Sequence, residues 1–395
     1  MSLKDTNKLP VTRQAFFHLL LLFFAATASL GATPARSTGL ADPVSGKEAP
    51  SSSSEGVRTH TLRSLTLLDS ARYSGDFTHF TYAEPNARKR GTLRTAEVGT
   101  FHNLAPFTLQ QSSVQVWLVY EQLFTSPRDD PLSSYPLIAE SAEIADDKSF
   151  VIFHLNPMAR WQDGLLVTSD DVVFTFNTLR NHDKAIPYFR SVFRDVKAVE
   201  AIDPHQVKFH LSPESTNNLP FLIASMHVLP AHVYAKNDFG QSSLEPPVGS
   251  GPYRVSQVLP GRRIVYQRVA DYWARDLPTR RGLHNFDHWI VDYYRDANAK
   301  SQAFMAGLSD MVVEFNPMRW RAYDDLPAKA EHRLVKVQSR LQGALGNMNF
   351  AFNLRRSPFD NRLVRDAITQ LFDFEWINRV LLNGWAERNG FPTPS

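Results

Sequence analysis

Residues Ala159–Asn181 read ARWQDGLLVTSDDVVFTFNTLRN, and this stretch predicts a strand end, a turn and a helix in succession. Asp163 and Gly164 indicate the turn, because glycine reaches positive φ without steric cost. Thr168 stands where a helix N-cap is expected, and Asp171 puts a carboxylate at the positive end of the helix dipole. The apolar residues that follow recur at helical spacing and predict one buried face: Val172, Val173, Phe176 and Leu179. Taken alone, the stretch indicates local packing without chemistry.

A second, glycine-rich stretch spans residues 247–253 and reads PVGSGPY. A phosphate cradle would need a lysine and a serine or threonine after the glycines, and a helix beginning there, and the sequence offers neither. The glycines instead predict a close crossing of two backbone segments. A strand pair over residues 253–258 and 263–268 follows, with Pro260 and Gly261 at its turn.

The two stretches together resemble a known family. Residues 161–176 match the pattern W-x-D-G-x-x-V-T-x-x-D-V-x-F-x-F, and PVGSGPY is followed by Asp-Tyr-Trp at residues 271–273. Both features resemble bacterial extracellular solute-binding protein family 5, the periplasmic receptors of peptide and nickel ABC importers. Residues 88–91 and 286–297 are similar to the branch that takes cationic and antibiotic peptides, including microcin C. The resemblance runs from about Leu93 to Arg379.

This resemblance implies an α/β fold like that of a class II periplasmic binding protein. A mixed-sheet lobe would take residues 91–120 and 245–346, with an inserted α+β subdomain over residues 121–244. Residues 347–395 would form the interlobe crossing and the start of an incomplete, truncated second lobe. Because members of the family are longer, we expect the 395-residue chain by itself to bind ligand weakly or not at all. A truncated remnant without a transport role is the alternative, and an exported hydrolase or chaperone is a more distant one.

The N-terminal region predicts export. Residues 1–28 combine basic residues, an apolar run and Ala-Thr-Ala, as a cleavable signal peptide does. Residues 29–90 predict a flexible leader or linker, with the folded body beginning at Gly91. The chain has no cysteine, so it cannot be a cysteine-linked lipoprotein, and we expect it free in the periplasm. A net charge of +3 gives no indication of nucleic-acid binding.

The remaining elements follow from periodicity. Residues 114–124 predict a helix with Glu121 facing solvent, and residues 361–382 an amphipathic helix. Two strand pairs are predicted, at residues 137–144 with 149–155 and at residues 196–202 with 206–211. A parallel β-α-β step is predicted over residues 286–294, 298–307 and 310–313, and a further strand over 347–354.

The sequence predicts a binding protein and no enzyme. No nucleophile or metal-protease motif occurs, no cofactor is expected, and a zinc pair at His284 and His288 is disfavoured because the two precede a strand. The resemblance implies an oligopeptide or peptide-like ligand, ABC permease subunits as partners, and a monomer. It also places residues 99–108 at the border of the cleft, although Ala105 replaces the usual asparagine there. The candidate ligand-binding residues are Asn103, Phe107, Thr108, Trp161, Asn349, Asn353 and Arg355.

Overall fold

The computed structural model describes residues 57–110, 112–338 and 352–386. Its strands form one five-stranded, one four-stranded and one three-stranded sheet. The strands are β1 (Thr59–Leu62), β2 (Leu65–Thr66), β3 (Thr92–Val98), β4 (Phe124–Thr125), β5 (Ser133–Pro136), β6 (Ala139–Ala145), β7 (Phe150–Leu155), β8 (Val196–Asp203), β9 (Gln206–Leu211), β10 (Tyr253–Leu259), β11 (Arg263–Arg268) and β12 (His288–Tyr294).

The helices are short, apart from the one that the opening stretch predicts. They are α1 (Val116–Val119), α2 (Ser169–Asn181), α3 (Pro187–Val192), α4 (Leu219–Ala224), α5 (Ala231–Tyr234), α6 (Ala297–Met305), α7 (Pro317–Ala322), α8 (Pro327–Ala330), α9 (Arg362–Gln370) and α10 (Phe374–Val380). A 3-10 turn, Tyr323–Asp325, follows α7.

The five-stranded sheet has the order β1-β6-β7-β9-β8, and all its pairs are antiparallel. Both predicted strand pairs, β6 with β7 and β8 with β9, are confirmed. Alternate residues of β7 and β9 are buried, as expected of a sheet that packs on one face only. Helix α2 covers that face and contributes Val172, Phe176 and Leu179 to the main core.

The four-stranded sheet has the order β10-β11-β12-β3. Its antiparallel hairpin, β10 with β11, is confirmed, whereas the predicted β-α-β step is confirmed only in part. Strand β12 does have a parallel partner, but that partner is β3, in the register Trp289 to Leu93. The predicted strand over residues 310–313 is wrong, because this segment only touches the edge of β3 through bonds between Asp310 and Arg94.

The N-terminal segment differs from the predicted leader over residues 29–90 in the part that the structure describes. Strand β1 pairs with β6, and β2 pairs with β5. Beyond them, Tyr73, Phe77 and Phe80 pack around Tyr135 with ring centroids 5.1–6.1 Å apart. Four aromatic rings bury enough apolar surface to order a segment that otherwise reads as polar. The predicted signal peptide, residues 1–28, and the rest of the chain up to residue 56 lie outside the described residues.

The glycine-rich stretch crosses α1 as closely as the sequence predicts. The Gly251 amide donates to the Val119 carbonyl oxygen at 2.8 Å. A Cβ atom on Gly251 would stand 2.6 Å from the Leu118 carbonyl oxygen, and one on Gly249 would overlap Val119. Only glycine fits such an approach, because any side chain would push the two backbones apart.

The predicted helix over residues 114–124 is wrong in its extent. Helix α1 is one turn long, and Tyr120 already has extended backbone angles, φ −122° and ψ 142°. This change of direction turns Glu121 inward, where it is only 2% exposed, so its predicted solvent position is also wrong.

The predicted helix over residues 361–382 is two helices, because Asp373 caps the start of α10 by accepting the Trp376 amide. Within the described residues, apolar side chains of this segment are exposed to solvent, with Leu363 76% and Leu371 85% exposed. Trp385 packs edge-on against Trp320 at 5.9 Å. Of the predicted strand over 347–354, residues 347–351 lie outside the described residues and 352–354 are not in a strand.

Candidate ligand site

The segment of residues 99–110 after β3 is held in shape by one buried amide. Asn103 is fully buried, and its Nδ2 donates to Thr108 Oγ1 at 3.2 Å and to the Gln110 carbonyl at 3.0 Å. Its Oδ1 accepts the amides of Ala105 at 2.9 Å and Ser243 at 3.1 Å. Asn103 and Thr108 therefore stabilise the loop from inside, and their polar atoms are occupied by it.

Phe107 belongs to the same loop and is only partly buried. Its φ is 61°, a left-handed conformation that few aromatic residues adopt. The ring meets Phe189 edge-on at 5.5 Å and His227 at 5.9 Å. Thr108 forms an antiparallel bridge with Ala185. Leu109 follows Thr108 directly and is 59% exposed.

Further exposed apolar side chains follow the Thr108–Ala185 bridge. The Ile186 amide donates to the Phe107 carbonyl at 3.0 Å, and Tyr188 meets Phe189 edge-on at 5.4 Å. Ile186 and Tyr188 are 36% and 43% exposed. We call Phe107, Leu109, Ile186 and Tyr188 the apolar rim. The rim offers hydrophobic contact beside a loop that cannot easily rearrange.

Trp161 is a core residue. It is 2% exposed, and its Nε1 donates to Asp171 Oδ2 at 3.1 Å. Asp171 also accepts the Thr168 amide at 3.0 Å and, through Oδ1, the Ala231 amide at 2.8 Å. Thr168 and Asp171 thus form a capping box at the start of α2, with Thr168 at its predicted N-cap position. The structure therefore gives Trp161 and Asp171 a structural role.

The remaining candidates lie on the C-terminal part of the chain. Asn349 falls outside the described residues. Asn353 and Arg355 are exposed, and the Arg355 amide donates to Asn353 Oδ1 at 3.2 Å. No hydrogen bond within the described ranges joins either residue to the segment 99–110. Of the candidates with described side chains, only Phe107 belongs to an apolar surface that a ligand could reach.

Sequence reasoning missed a buried ion pair beneath the glycine-rich crossing. Arg280 Nη2 lies 2.6 Å from Glu121 Oε2, and Arg280 Nε lies 3.0 Å from Oε1. The Tyr272 hydroxyl donates to Glu121, Thr125 Oγ1 accepts from Arg280, and the Ser250 hydroxyl accepts the Glu121 amide. The pair is separated by 159 residues in sequence, so no local pattern could indicate it.

Electrostatics around this pair follow from its burial. Burial alone would lower the pKa of Arg280, but the Glu121 charge outweighs it and holds that pKa above its usual range. Burial first, and then the Glu121 charge, raise the pKa of Tyr272 well above 10. Burial and the Arg280 charge lower the pKa of His227 to about 3, so its ring is neutral at physiological pH.

The described residues contain no cluster of three or more histidine, aspartate or glutamate side chains that could hold a metal ion. Among the helices of the same ranges, none has the length and apolar character needed to span a bilayer.

Comparison with known sequences gives a consistent result. A family model described as bacterial extracellular solute-binding proteins, family 5 Middle, matches residues 134–395. A Brucella suis protein, whose name places it provisionally among binding proteins, is 37% identical over 385 residues, 95% of this chain and 59% of the relative. The peptidoglycan-binding protein YepA of Agrobacterium fabrum is 34% identical over 344 residues, 83% of this chain and 56% of YepA. The chain thus spans somewhat more than half the length of these relatives.

Comparison with solved structures shows the fold. The oligopeptide-binding protein AppA of Bacillus subtilis, solved with a nonapeptide, superposes with a TM-score of 0.61 at 21% identity. The match covers 77% of this chain and 58% of AppA. It confirms the predicted fold class, in which open sheets and helices are arranged as in class II periplasmic binding proteins.

Proposed function

Because the chain belongs to the bacterial extracellular solute-binding proteins, family 5, we propose that it is the substrate-binding component of an ABC importer. It captures oligopeptides or peptide-like compounds by reversible binding in a cleft between two lobes, and no bond is made or broken. It works in the periplasm as a monomer, reaches it through a cleavable signal peptide, and delivers its ligand to the permease subunits.

The observation that carries this proposal is the loop of residues 99–110, which Asn103 holds in shape, together with the apolar rim. Asn103 fixes the loop from inside, so the rim is presented without a large cost in conformational entropy on binding. Peptide receptors combine main-chain hydrogen bonds with pockets for alternate side chains. An aromatic and aliphatic rim suits apolar side chains of a peptide, and a loop at the end of β3 suits the strand-end position of ligand sites in α/β sheets.

Names of related proteins support the ligand class. AppA was solved with a nonapeptide, and YepA is named as peptidoglycan-binding. Peptidoglycan carries short peptides, so both names are compatible with a peptide or peptide-like ligand here. We favour oligopeptides because the rim consists of hydrophobic side chains without a charged group among them.

Hydrogen exchange of the full chain with a peptide mixture tests the proposal. We expect millimolar tripeptides to pentapeptides to slow amide exchange in residues 99–110 and 184–189. The double variant Leu109→Ala/Tyr188→Ala should lose most of this protection. Leu68→Ala is the matched control, because Leu68 is 51% exposed in the N-terminal segment, outside the rim. Absence of protection in the wild-type chain would favour the truncated-remnant alternative, and protection that the double variant retains would contradict the rim as the binding surface.

A further inference from the structure

The loop that follows helix α10 contains the dipeptide Asn383-Gly384, which is chemically reactive. When glycine follows asparagine, the glycine nitrogen can attack the asparagine side-chain carbonyl carbon, because no Cβ atom hinders the approach. Asn383 is exposed, and within the described ranges no hydrogen bond holds its side chain. In the part of the chain that the structure describes, this is the one Asn-Gly sequence. The loop therefore contains a position that water alone can modify, without an enzyme.

The two residues are placed there by the way α10 ends. Asn383 has φ 56° and Gly384 has φ 77°, so both are in the left-handed region. Glycine and asparagine are the residues that adopt this region at least cost, and both are common just beyond a helix. The Gly384 amide donates to the Asn378 carbonyl at 2.8 Å and satisfies one of the free carbonyls at the end of α10.

The side chain of Asn378 fixes the far end of the same loop. Its Nδ2 donates to the Ala386 carbonyl at 2.7 Å, and its Oδ1 accepts the Ala386 amide at 3.0 Å. We call these two bonds, together with the bond from the Gly384 amide to the Asn378 carbonyl, the Asn378 clamp. Since all three bonds return to one helical residue, the clamp closes the loop over Asn383 and Gly384.

The clamp opposes the reaction at the atom that must attack. The Gly384 nitrogen has to lose its proton before it can bond to the Asn383 side-chain carbon, but that proton is held by the Asn378 carbonyl. The peptide between Asn383 and Gly384 must also rotate toward the side chain, and this rotation breaks the same hydrogen bond. Breaking it without a replacement costs free energy, so the reaction should be slower in the closed loop than in a free peptide.

We propose that Asn383 is a site of spontaneous deamidation and that the Asn378 clamp restrains it. The Gly384 nitrogen bonds to the Asn383 side-chain carbonyl carbon, the bond from that carbon to the side-chain nitrogen breaks, and ammonia leaves with the proton that Gly384 has lost. Water then opens the resulting succinimide at either carbonyl and gives aspartate or isoaspartate. Both products place a negative charge just beyond α10, where the helix dipole is also negative. The inference does not depend on ligand capture.

Peptide mapping of the full chain tests this site. Trypsin cleaves after Arg379 and Arg388, and the peptide between them, residues 380–388, contains Asn383 as its single asparagine. A mass gain in this peptide during incubation at neutral pH therefore reports deamidation of Asn383, and a synthetic peptide of the same sequence gives the unrestrained rate. We expect the full chain to react at least tenfold more slowly than the synthetic peptide. Asn378→Ala should bring its rate to within threefold of that peptide.

Ala386→Pro is the second variant, because it removes only the donor to Asn378 Oδ1, and it should raise the rate at least twofold. Asn86→Ala replaces an exposed asparagine outside α10 and is the control that should leave the rate unchanged. Adding Gly384→Ala to the Asn378→Ala chain should slow the reaction at least tenfold, because a Cβ atom then hinders the attacking nitrogen. Circular dichroism verifies that the variants fold. The proposal is overturned if the full chain reacts as fast as the synthetic peptide, or if neither clamp variant reacts faster than the control.

Discussion

At the scale of single residues, the Glu121–Arg280 pair is an ion pair buried in the protein interior. Glu121 is 2% exposed and Arg280 side-chain exposure is 10%, so both charges have lost most of their water. The Tyr272 hydroxyl donates to the Glu121 carboxylate, and Thr125 Oγ1 and the Thr279 carbonyl accept from Arg280. Such pairs contribute little net stability compared with apolar residues, but removing one partner leaves the other charge buried alone.

Glu121→Ala should therefore lower the free energy of unfolding by about 3–5 kcal/mol. The double variant Glu121→Leu/Arg280→Met should recover much of this loss, because neither charge remains. Glu140→Ala, an exposed glutamate of β6, serves as control and should change stability by less than about 0.5 kcal/mol. Urea unfolding measures all three. A loss for Glu121→Ala no larger than that of the control would contradict the buried-pair interpretation.

His227 connects the same region to pH. Its folded pKa of about 3 lies below the unfolded value of about 6.5, so the unfolded chain binds a proton that the folded chain does not. This contribution to stability is complete above pH 6.5 and decreases as pH falls toward 3. The slope approaches about 1.4 kcal/mol per pH unit for one proton.

His227→Gln should remove that part of the slope between pH 6 and pH 4. Unfolding free energies at several pH values, measured for the variant and the wild-type chain, check this. The comparison uses slopes, so it remains valid if the variant is less stable overall. Parallel curves would mean that folding does not lower the pKa of His227.

At the scale of elements, the glycine crossing shows how one turn of helix and one loop fix each other. A Cβ at position 251 would stand 2.6 Å from the Leu118 carbonyl, which belongs to the backbone and cannot rotate away. The Trp273 Nε1 also donates to the Ser250 carbonyl at 2.9 Å. The crossing is thus held from both sides.

Gly251→Ala should cost about 2 kcal/mol or more, since the backbones of α1 and the loop must separate. Gly75→Ala is the control, because a Cβ there meets nothing within 4 Å. Thermal unfolding of both variants distinguishes steric overlap from a general effect of replacing glycine. Equal melting temperatures for the two variants would show that the crossing tolerates a side chain.

These elements also show what the sequence could and could not predict. The hairpins β8–β9 and β10–β11 follow from alternation and a turn, which are local, and they are confirmed. The prediction of a helix over residues 114–124 is wrong because a distant partner, Arg280, stabilises Glu121 in the interior. Among the site candidates, Asn103 was identified as polar and near a cleft. The sequence spacing could not predict that the side-chain amide of Asn103 forms hydrogen bonds with four partners within and beside the loop.

At the scale of the whole molecule, the proposed division assigns β3 and β10–β12 to lobe I and β6–β9 to the inserted subdomain. The structure adds the N-terminal segment, whose strands β1 and β2 extend the sheets that contain β6 and β5. Family patterns were sufficient to predict the fold class, because they lie at the crossing and on α2. The N-terminal strands have no such pattern, and the packing of Tyr73, Phe77 and Phe80 beside them is known only from the structure.

Strand β1 has a practical consequence for anyone preparing this protein. A shortened protein that starts at Gly91, where the alternating pattern first becomes clear, would lack β1 (Thr59–Leu62). The edge of β6 would then carry a row of backbone amides and carbonyls without hydrogen-bond partners. Open margins of this kind recruit neighbouring molecules and seed precipitates. Expression designs should keep the residues from Val57 onward and attach any affinity handle ahead of them.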